Sequence, residues 1–265
     1  MQKMIVSDLD GTLLDHEHKV DAFTAATFQA LALQGVHLAI ATGRHFLDVQ
    51  GIRETLGVKA HLITSNGARV HDPENNEIFA ENLAPELARA LMQPEFSNGS
   101  LLNAYVDAGW LVERECPELV GVYYKDSGFG YQVTDLKHHN GEDIAKILYI
   151  GDHATLTAIE SKIIDRFGDQ IYITFSADDC LEVMAPTVSK GHALTAVLAR
   201  LSIDAEHCYA FGDGQNDIQL LAVAGHPFVM GNASPKLKAA HPNAPVIGSN
   251  DEHGVAQQLR QIFKL

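Results

Sequence analysis

Met4-Ile5-Val6-Ser7-Asp8-Leu9-Asp10-Gly11-Thr12-Leu13-Leu14 is an apolar run that ends on two acids and leaves them through a Gly-Thr turn. Residues 4–7 show no polar/apolar alternation, which predicts a short strand covered on both faces. Acids at i and i+2 of an extended chain point to the same side. Open parallel sheets bind ligands just past the carboxyl ends of their strands. Two carboxylates about 4 Å apart repel by ~4 kcal/mol at an effective dielectric of 20, so the pair needs a cation or a shared proton. A solvated acidic turn would explain the acids, but not the buried strand that feeds them.

The flanking chain extends this pattern. Asp21 can cap a helix running to about Leu33, and Gly35 supplies a left-handed stop. An apolar strand over 36–41, a helix over 46–56 and a strand over 62–64 follow. Late in the chain the alternation resumes, with a helix over 189–201, a strand over 208–211, a helix over 217–223, a strand over 227–230 and a helix over 254–263. Strand-helix alternation without polar positions in the strands predicts a doubly wound, Rossmann-like α/β core built on a parallel sheet. The middle reads differently. Asn66-Gly67 and residues 72–76 are turn chemistry around a short strand, 68–70. Then come a helix (85–92), strands (102–106, 110–113, 131–133, 146–150), a helix (155–167) and two more strands (171–175, 181–184). Short mixed strands with two helices predict an inserted α+β domain. The expected layout is core 1–82, insertion 83–186, core 187–265.

The chain has 265 residues, 19 Lys plus Arg against 34 Asp plus Glu, and a formal net charge of −15. Its 46% hydrophobic and 20% charged content excludes a disordered or collagen-like chain. The acidic balance disfavours nucleic acid and anionic membrane surfaces as partners. Small phosphorylated molecules remain, provided the site carries its own cations. Cys116, Cys180 and Cys208 have no CxxC spacing, which fits three separate buried thiols and a cytoplasmic protein. Residues 23–43 lack Asp, Glu, Lys and Arg, yet Gln29, Gln34, Gly35 and His37 interrupt them. They read as a helix, a stop and a strand, with no membrane span.

Three further segments sit at predicted strand or helix ends. Ala41-Thr42-Gly43-Arg44 offers a hydroxyl and a backbone N–H for a phosphate oxygen. Ser189-Lys190-Gly191 opens a helix, where free N–H groups and the dipole favour an anion and an ammonium adds charge. Phe211-Gly212-Asp213-Gly214-Gln215-Asn216-Asp217 brings two more acids to the same edge. Hard oxygen ligands of this kind suit Mg2+.

Taken in order, the four segments resemble the four motifs of the haloacid-dehalogenase-like (HAD) phosphohydrolases. The insertion resembles the α/β cap (C2B type) of the Cof-type, IIB branch, supported by Thr64-Ser65-Asn66-Gly67-Ala68, Leu181-Glu182-Val183 and Met230-Gly231-Asn232-Ala233. The resemblance implies a phosphatase in which Asp8 is the nucleophile and Asp10 the general acid and base. It implies that Thr42 and the Gly43 and Leu9 amides hold phosphate oxygens, that Lys190 neutralises charge, and that Asn216 contacts phosphate. Asp8, Asp10 (through its carbonyl) and Asp213 would bind Mg2+, with Asp217 behind them steering a metal-bound water. Within the branch, residues 65–71 most resemble phosphatases of pyridoxal phosphate and sugar phosphates, and those acting on hydroxymethylpyrimidine pyrophosphate are also close. A phosphosugar mutase and a non-catalytic phosphate sensor are the rival readings. The expected state is a monomer or weak homodimer.

Other residues carry two readings each. Arg44 and Asn66 either touch substrate or serve a helix start and a turn. Trp110, Tyr123, Tyr124, Phe129 and Tyr131 either stack on a flat ring or, the favoured reading, pack the insertion's own core. Asp15-His16-Glu17-His18 and His138-His139 read as solvated turns, because a zinc site needs a closed ligand set.

Overall fold

The computed structural model describes residues 2–97, 99–118 and 128–265. It divides into two compact units, Met1–Phe79 with Ser189–Leu265, and Ala80–Val188. The strands are, in chain order, β1 (Met4–Ser7), β2 (His37–Ala41), β3 (His61–Thr64), β4 (Arg69–His71), β5 (Glu77–Ala80), β6 (Leu101–Val106), β7 (Gly109–Val112), β8 (Tyr131–Val133), β9 (Lys146–Ile150), β10 (Tyr172–Ala177), β11 (Cys180–Met184), β12 (Cys208–Gly212) and β13 (His226–Val229).

In the first unit the sheet order is β13-β12-β1-β2-β3-β4-β5. From β13 to β3 every pairing is parallel. β1 and β3 are buried at every residue, and β2 at all but its first, as their unbroken apolar runs predict. Leu31, Leu194, Leu220 and Leu259, each from a different helix, join Ile5, Leu38, Ile63 and Phe211 in one core. Burying a side chain of that size contributes ~1.5–3 kcal/mol. Asp21 caps the Ala22–Leu33 helix by accepting from the Phe23 and Thr24 amides, and Gly35 turns the chain at φ 74°. Residues 23–43 are thus a helix and β2, and no helix among the described residues is long and apolar enough to cross a membrane.

The sheet departs from the expected pattern at one edge. β4 pairs antiparallel with β3, and β5, half exposed and without an apolar run, carried no sequence signal. The register explains where ligands would gather. Ser7 lies opposite both Phe211 and Ile40, so the chain leaves β1, β2 and β12 at one level, into Asp8, Thr42 and Asp213.

The second unit is α+β, as expected. Its sheet order is β10-β11-β9-β6-β7-β8, antiparallel except between β7 and β8. Alternation along each strand separates two faces. Ala104, Ile147 and Leu181 pack under Leu91, Leu156 and Ile163 of the helices. On the other face Leu101, Tyr105, Trp110, Phe129 and Leu148 form a smaller cluster. Trp110 stacks on Phe129 at 6.1 Å and meets Tyr131 edge-on at 5.2 Å. Those three aromatics therefore pack their own unit; Tyr123 and Tyr124 lie outside the described residues. The same unit buries a Lys146–Glu182 ion pair that its sequence pattern did not announce. Of the three free thiols only Cys208 is fully buried, and burial pushes it up to about 12; Cys116 and Cys180 are half-buried.

Candidate active site

Asp8 follows β1 and continues its ladder, its amide donating to the Phe211 carbonyl at 3.1 Å. Its side chain meets an ammonium from far along the chain. Lys190, first residue of a helix capped by Ser189, donates from Nζ to Asp8 Oδ1 and to Asp217 Oδ1, each at 2.7 Å. Asp217 is wholly buried, and its Oδ2 accepts from the Asp213 and Gly214 amides at 3.0 and 2.9 Å. It is committed to shaping its own loop. Asp213 Oδ1 accepts from the Thr12 hydroxyl at 2.8 Å. A Cβ on Gly11, at φ 77°, would lie 2.5 Å from Asp213 Oδ2, so this approach requires glycine. Asn232 holds that turn from outside, donating to the Gly11 carbonyl at 2.7 Å.

Carboxylate oxygens of Asp8, Asp213 and Asp217 all lie within 4.8 Å of one another. One ammonium against two buried acids and the half-buried Asp213 leaves the cluster short of positive charge. Burial, then the Asp217 charge, raises the Asp8 pKa well above the ordinary value despite Lys190. The same two causes push Asp213 up to about 6. Burial would lower Lys190, but Asp217 and Asp8 outweigh it and its pKa rises. A hard divalent cation fits this donor set, which is all oxygen and electrostatically underpaid.

Asp10 lies outside that set. Burial would raise its pKa, but the Arg44 fork and the His18 ring outweigh it and hold the carboxyl below the ordinary range. Arg44 Nε reaches Asp10 Oδ2 at 2.7 Å, its Nη2 bonds the other oxygen, and His18 Nδ1 lies 3.1 Å from Oδ1. Arg44 Nη1 also donates to the buried Asp48 Oδ2 at 3.1 Å. The repulsion expected between Asp8 and Asp10 is thus met by a separate cation for each.

A third set lines the Thr42 loop. The Arg44 amide donates to Thr42 Oγ1 at 3.1 Å, and the Asn66 amide to the Thr42 carbonyl at 3.0 Å. Asn216 Nδ2 donates to Asn66 Oδ1 at 3.0 Å. The Leu9 side chain is buried in the core, leaving its backbone as the part beside Asp8.

Arg44 and Asn66, each open to a substrate contact or to a helix-start or turn role, hold Asp10 and Asn216. His18 departs from the solvated-turn reading by touching Asp10, whereas His16 bonds an acid in an exposed turn as read and His138 does so, exposed, from a single 3-10 turn of helix. Sequence reasoning missed Asp48, and it quoted Thr12 and Asn232 within motifs without giving either a role. For Asp48 a signal existed, since it stands four residues after Arg44.

The family model for haloacid dehalogenase-like hydrolases matches residues 5–259. The chain belongs to this family. This haloacid dehalogenase-like hydrolase is 39% identical over 259 residues to a protein named HMP-PP phosphatase from Cronobacter sakazakii, covering 98% of this chain and 95% of that one. Among solved structures, a haloacid dehalogenase-like hydrolase from B. subtilis superposes with a TM-score of 0.87 at 26% identity, covering 98% of this chain and 99% of that one. A HAD subclass IIB sugar phosphatase shares the fold, with a TM-score of 0.86 at 21% identity, over 99% and 100% of the two chains. The family and the phosphohydrolase class expected from the four motifs, and the doubly wound core with its insertion expected from the strand-helix pattern, are borne out.

Proposed function

We propose that this hydrolase is a Mg2+-dependent phosphatase of small phosphorylated metabolites, with hydroxymethylpyrimidine pyrophosphate ahead of pyridoxal phosphate and sugar phosphates. The substrate order follows the name carried by its relatives at 36–39% identity over 98% of this chain. One observation carries the chemistry, the Lys190 ammonium held between Asp8 and Asp217 at the end of β1.

In this reading an Asp8 carboxylate oxygen attacks phosphorus while the bond to the leaving oxygen breaks. Asp10 supplies the proton that the leaving oxygen takes up, a step that requires its bonds to Arg44 and His18 to open while it carries that proton. Water then attacks phosphorus, Asp10 takes its proton, and orthophosphate leaves with Asp8 restored. Lys190 opposes the burial and the Asp217 charge that raise Asp8, and Arg44 holds Asp10 in the ionised form needed for the second half. Thr42, the Gly43 and Leu9 amides, and Asn216 bind the phosphoryl oxygens. Asp8, the Asp10 carbonyl and Asp213 would hold Mg2+, with Asp217 behind them. When bound, the ion would offset the surplus negative charge and polarise the phosphoryl group. Residues 83–186 serve as the cap of the family's IIB branch, and the protein works in the cytoplasm as a monomer or weak homodimer.

A phosphate-release screen over hydroxymethylpyrimidine pyrophosphate, pyridoxal phosphate, hexose phosphates and nucleoside monophosphates tests the substrate. Highest kcat/KM on the first is expected, and a maximum elsewhere would replace it. Release of no orthophosphate from any of them would favour a mutase or a sensor. Excess chelator should abolish turnover while the far-ultraviolet circular dichroism stays unchanged; undiminished turnover would reject the metal.

Proton linkage adds a test that does not depend on turnover. Asp213 titrates at about 6 in the folded chain against an ordinary 3.8, and Asp8 is raised too. Below the ordinary value folded and unfolded chains are both protonated. Between about pH 4 and 6 the folded chain retains protons that the unfolded chain releases. The contribution of these groups to stability is therefore lost as pH rises through that window. Mg2+ should raise the melting temperature more at about pH 7.5 than at about pH 5, because at the lower pH protons compete for the same oxygens. An equal rise at both would contradict the assignment.

A further inference from the structure

Ser65, Asn66 and Gly67 follow β3 with three positive φ angles in succession, 49°, 56° and 101°. Left-handed backbone is costly for side chains other than glycine, and asparagine tolerates it better than most. All three residues are buried. Such a conformation persists only where its surroundings over-determine it, and here the surroundings are three separate segments of the site.

The Ser65 amide donates to the Arg44 carbonyl at 2.9 Å and the Asn66 amide to the Thr42 carbonyl at 3.0 Å, tying down the loop after β2. A Cβ on Gly67 would strike the Ser189 carbonyl, so glycine lets the turn close onto the cap of the helix that Lys190 begins. Asn66 Oδ1 accepts from Asn216 Nδ2 at 3.0 Å, in the loop after β12. The same oxygen lies 3.1 Å from where a Cβ on Gly43 would sit.

We propose that Asn66 is a positioning residue that orients the Asn216 carboxamide and keys the Thr42, Lys190 and Asn216 segments to one another. This rests on the phosphatase reading and deepens it. Asn66 has no exposed surface, so it acts through its neighbours. Its oxygen selects the nitrogen end of the Asn216 amide, because a flipped Asn216 would set oxygen against oxygen. With that end chosen, the second Nδ2–H of Asn216, the part of the carboxamide able to donate to a phosphate oxygen, is held in one orientation. A side chain at Gly43 would press on Asn66 Oδ1, so glycine there favours the close approach of the two loops.

A double-mutant cycle with orthophosphate as competitive inhibitor tests this. Asn66→Gly keeps the left-handed backbone accessible and deletes only the side chain. It should weaken orthophosphate about tenfold, as loss of one oriented hydrogen bond does. In an Asn216→Ala background the same change should weaken it less than about twofold. Equal effects in both backgrounds would mean that Asn66 acts independently of Asn216, and no effect in either would mean that it positions nothing; each overturns the proposal. Hydrogen exchange of the Asn216 side-chain amide in the wild-type chain gives an answer even if Asn66→Gly melts early. Protection is expected, and exchange at the rate of a free amide would overturn the proposal. If Asn66→Gly is neutral while Asp8→Asn is inactive, this inference fails and the phosphatase reading stands. If the wild-type chain releases no phosphate from any ester, that reading fails, while inhibitor affinity aside, the exchange experiment still reports on Asn66.

Discussion

Asp8→Asn is expected to lower turnover by at least ~10⁴-fold, in line with the loss of a nucleophile elsewhere. Asparagine has nearly the shape of aspartate, and the Asp8 amide bond to the Phe211 carbonyl belongs to the backbone. The strand end should therefore stay in place. What disappears is the carboxylate that Lys190 holds at 2.7 Å. The measurement is orthophosphate release from an aryl phosphate, with a melting curve to confirm folding. Wild-type turnover in the folded variant would remove Asp8 from the chemistry and, with it, the proposed function.

Lys190→Met should act on stability as well as on turnover. Lys190 is 1% exposed and binds two buried carboxylates at once. Methionine keeps most of the volume but leaves Asp8, Asp213 and Asp217 without their ammonium. Removing one partner of a buried ion pair costs ~3–5 kcal/mol. For a chain of this size that is a fall in melting temperature on the order of 10 °C. Mg2+ should restore part of the fall, since the ion would supply the charge that the side chain no longer does. Calorimetry with and without Mg2+ reads both effects. An unchanged melting temperature without metal would show that the acids do not need Lys190.

Much of this fold is legible in one dimension. β1, β2 and β3 are apolar without interruption because each is covered on both faces, and a strand with no polar position can be read without knowing its neighbours. Helix limits were legible where caps are local, as at Asp21 and Ser189. β5 was not, because its stability comes from pairing at a sheet edge and not from an apolar run of its own. The Pro235–Ala240 helix is a short element within a long loop and was missed for a similar reason.

The site divides along the same line. Sequence alone determined which residues stand at strand and helix ends: Asp8, Thr42, Lys190, Asp213 and their neighbours. That placement follows from chain-local patterns and from the general geometry of parallel sheets. Only the tertiary structure decided which charge answers which. Lys190 serves Asp8 from 182 positions away and Asp217 from 27, while Arg44, open in the sequence to either a substrate contact or a helix start, serves Asp10. Asn66 holds Asn216 across 150 positions. The physical reason is that charge pairing depends on distances of a few ångströms. Those distances are set by strand register and loop packing, which no local stretch of chain encodes by itself.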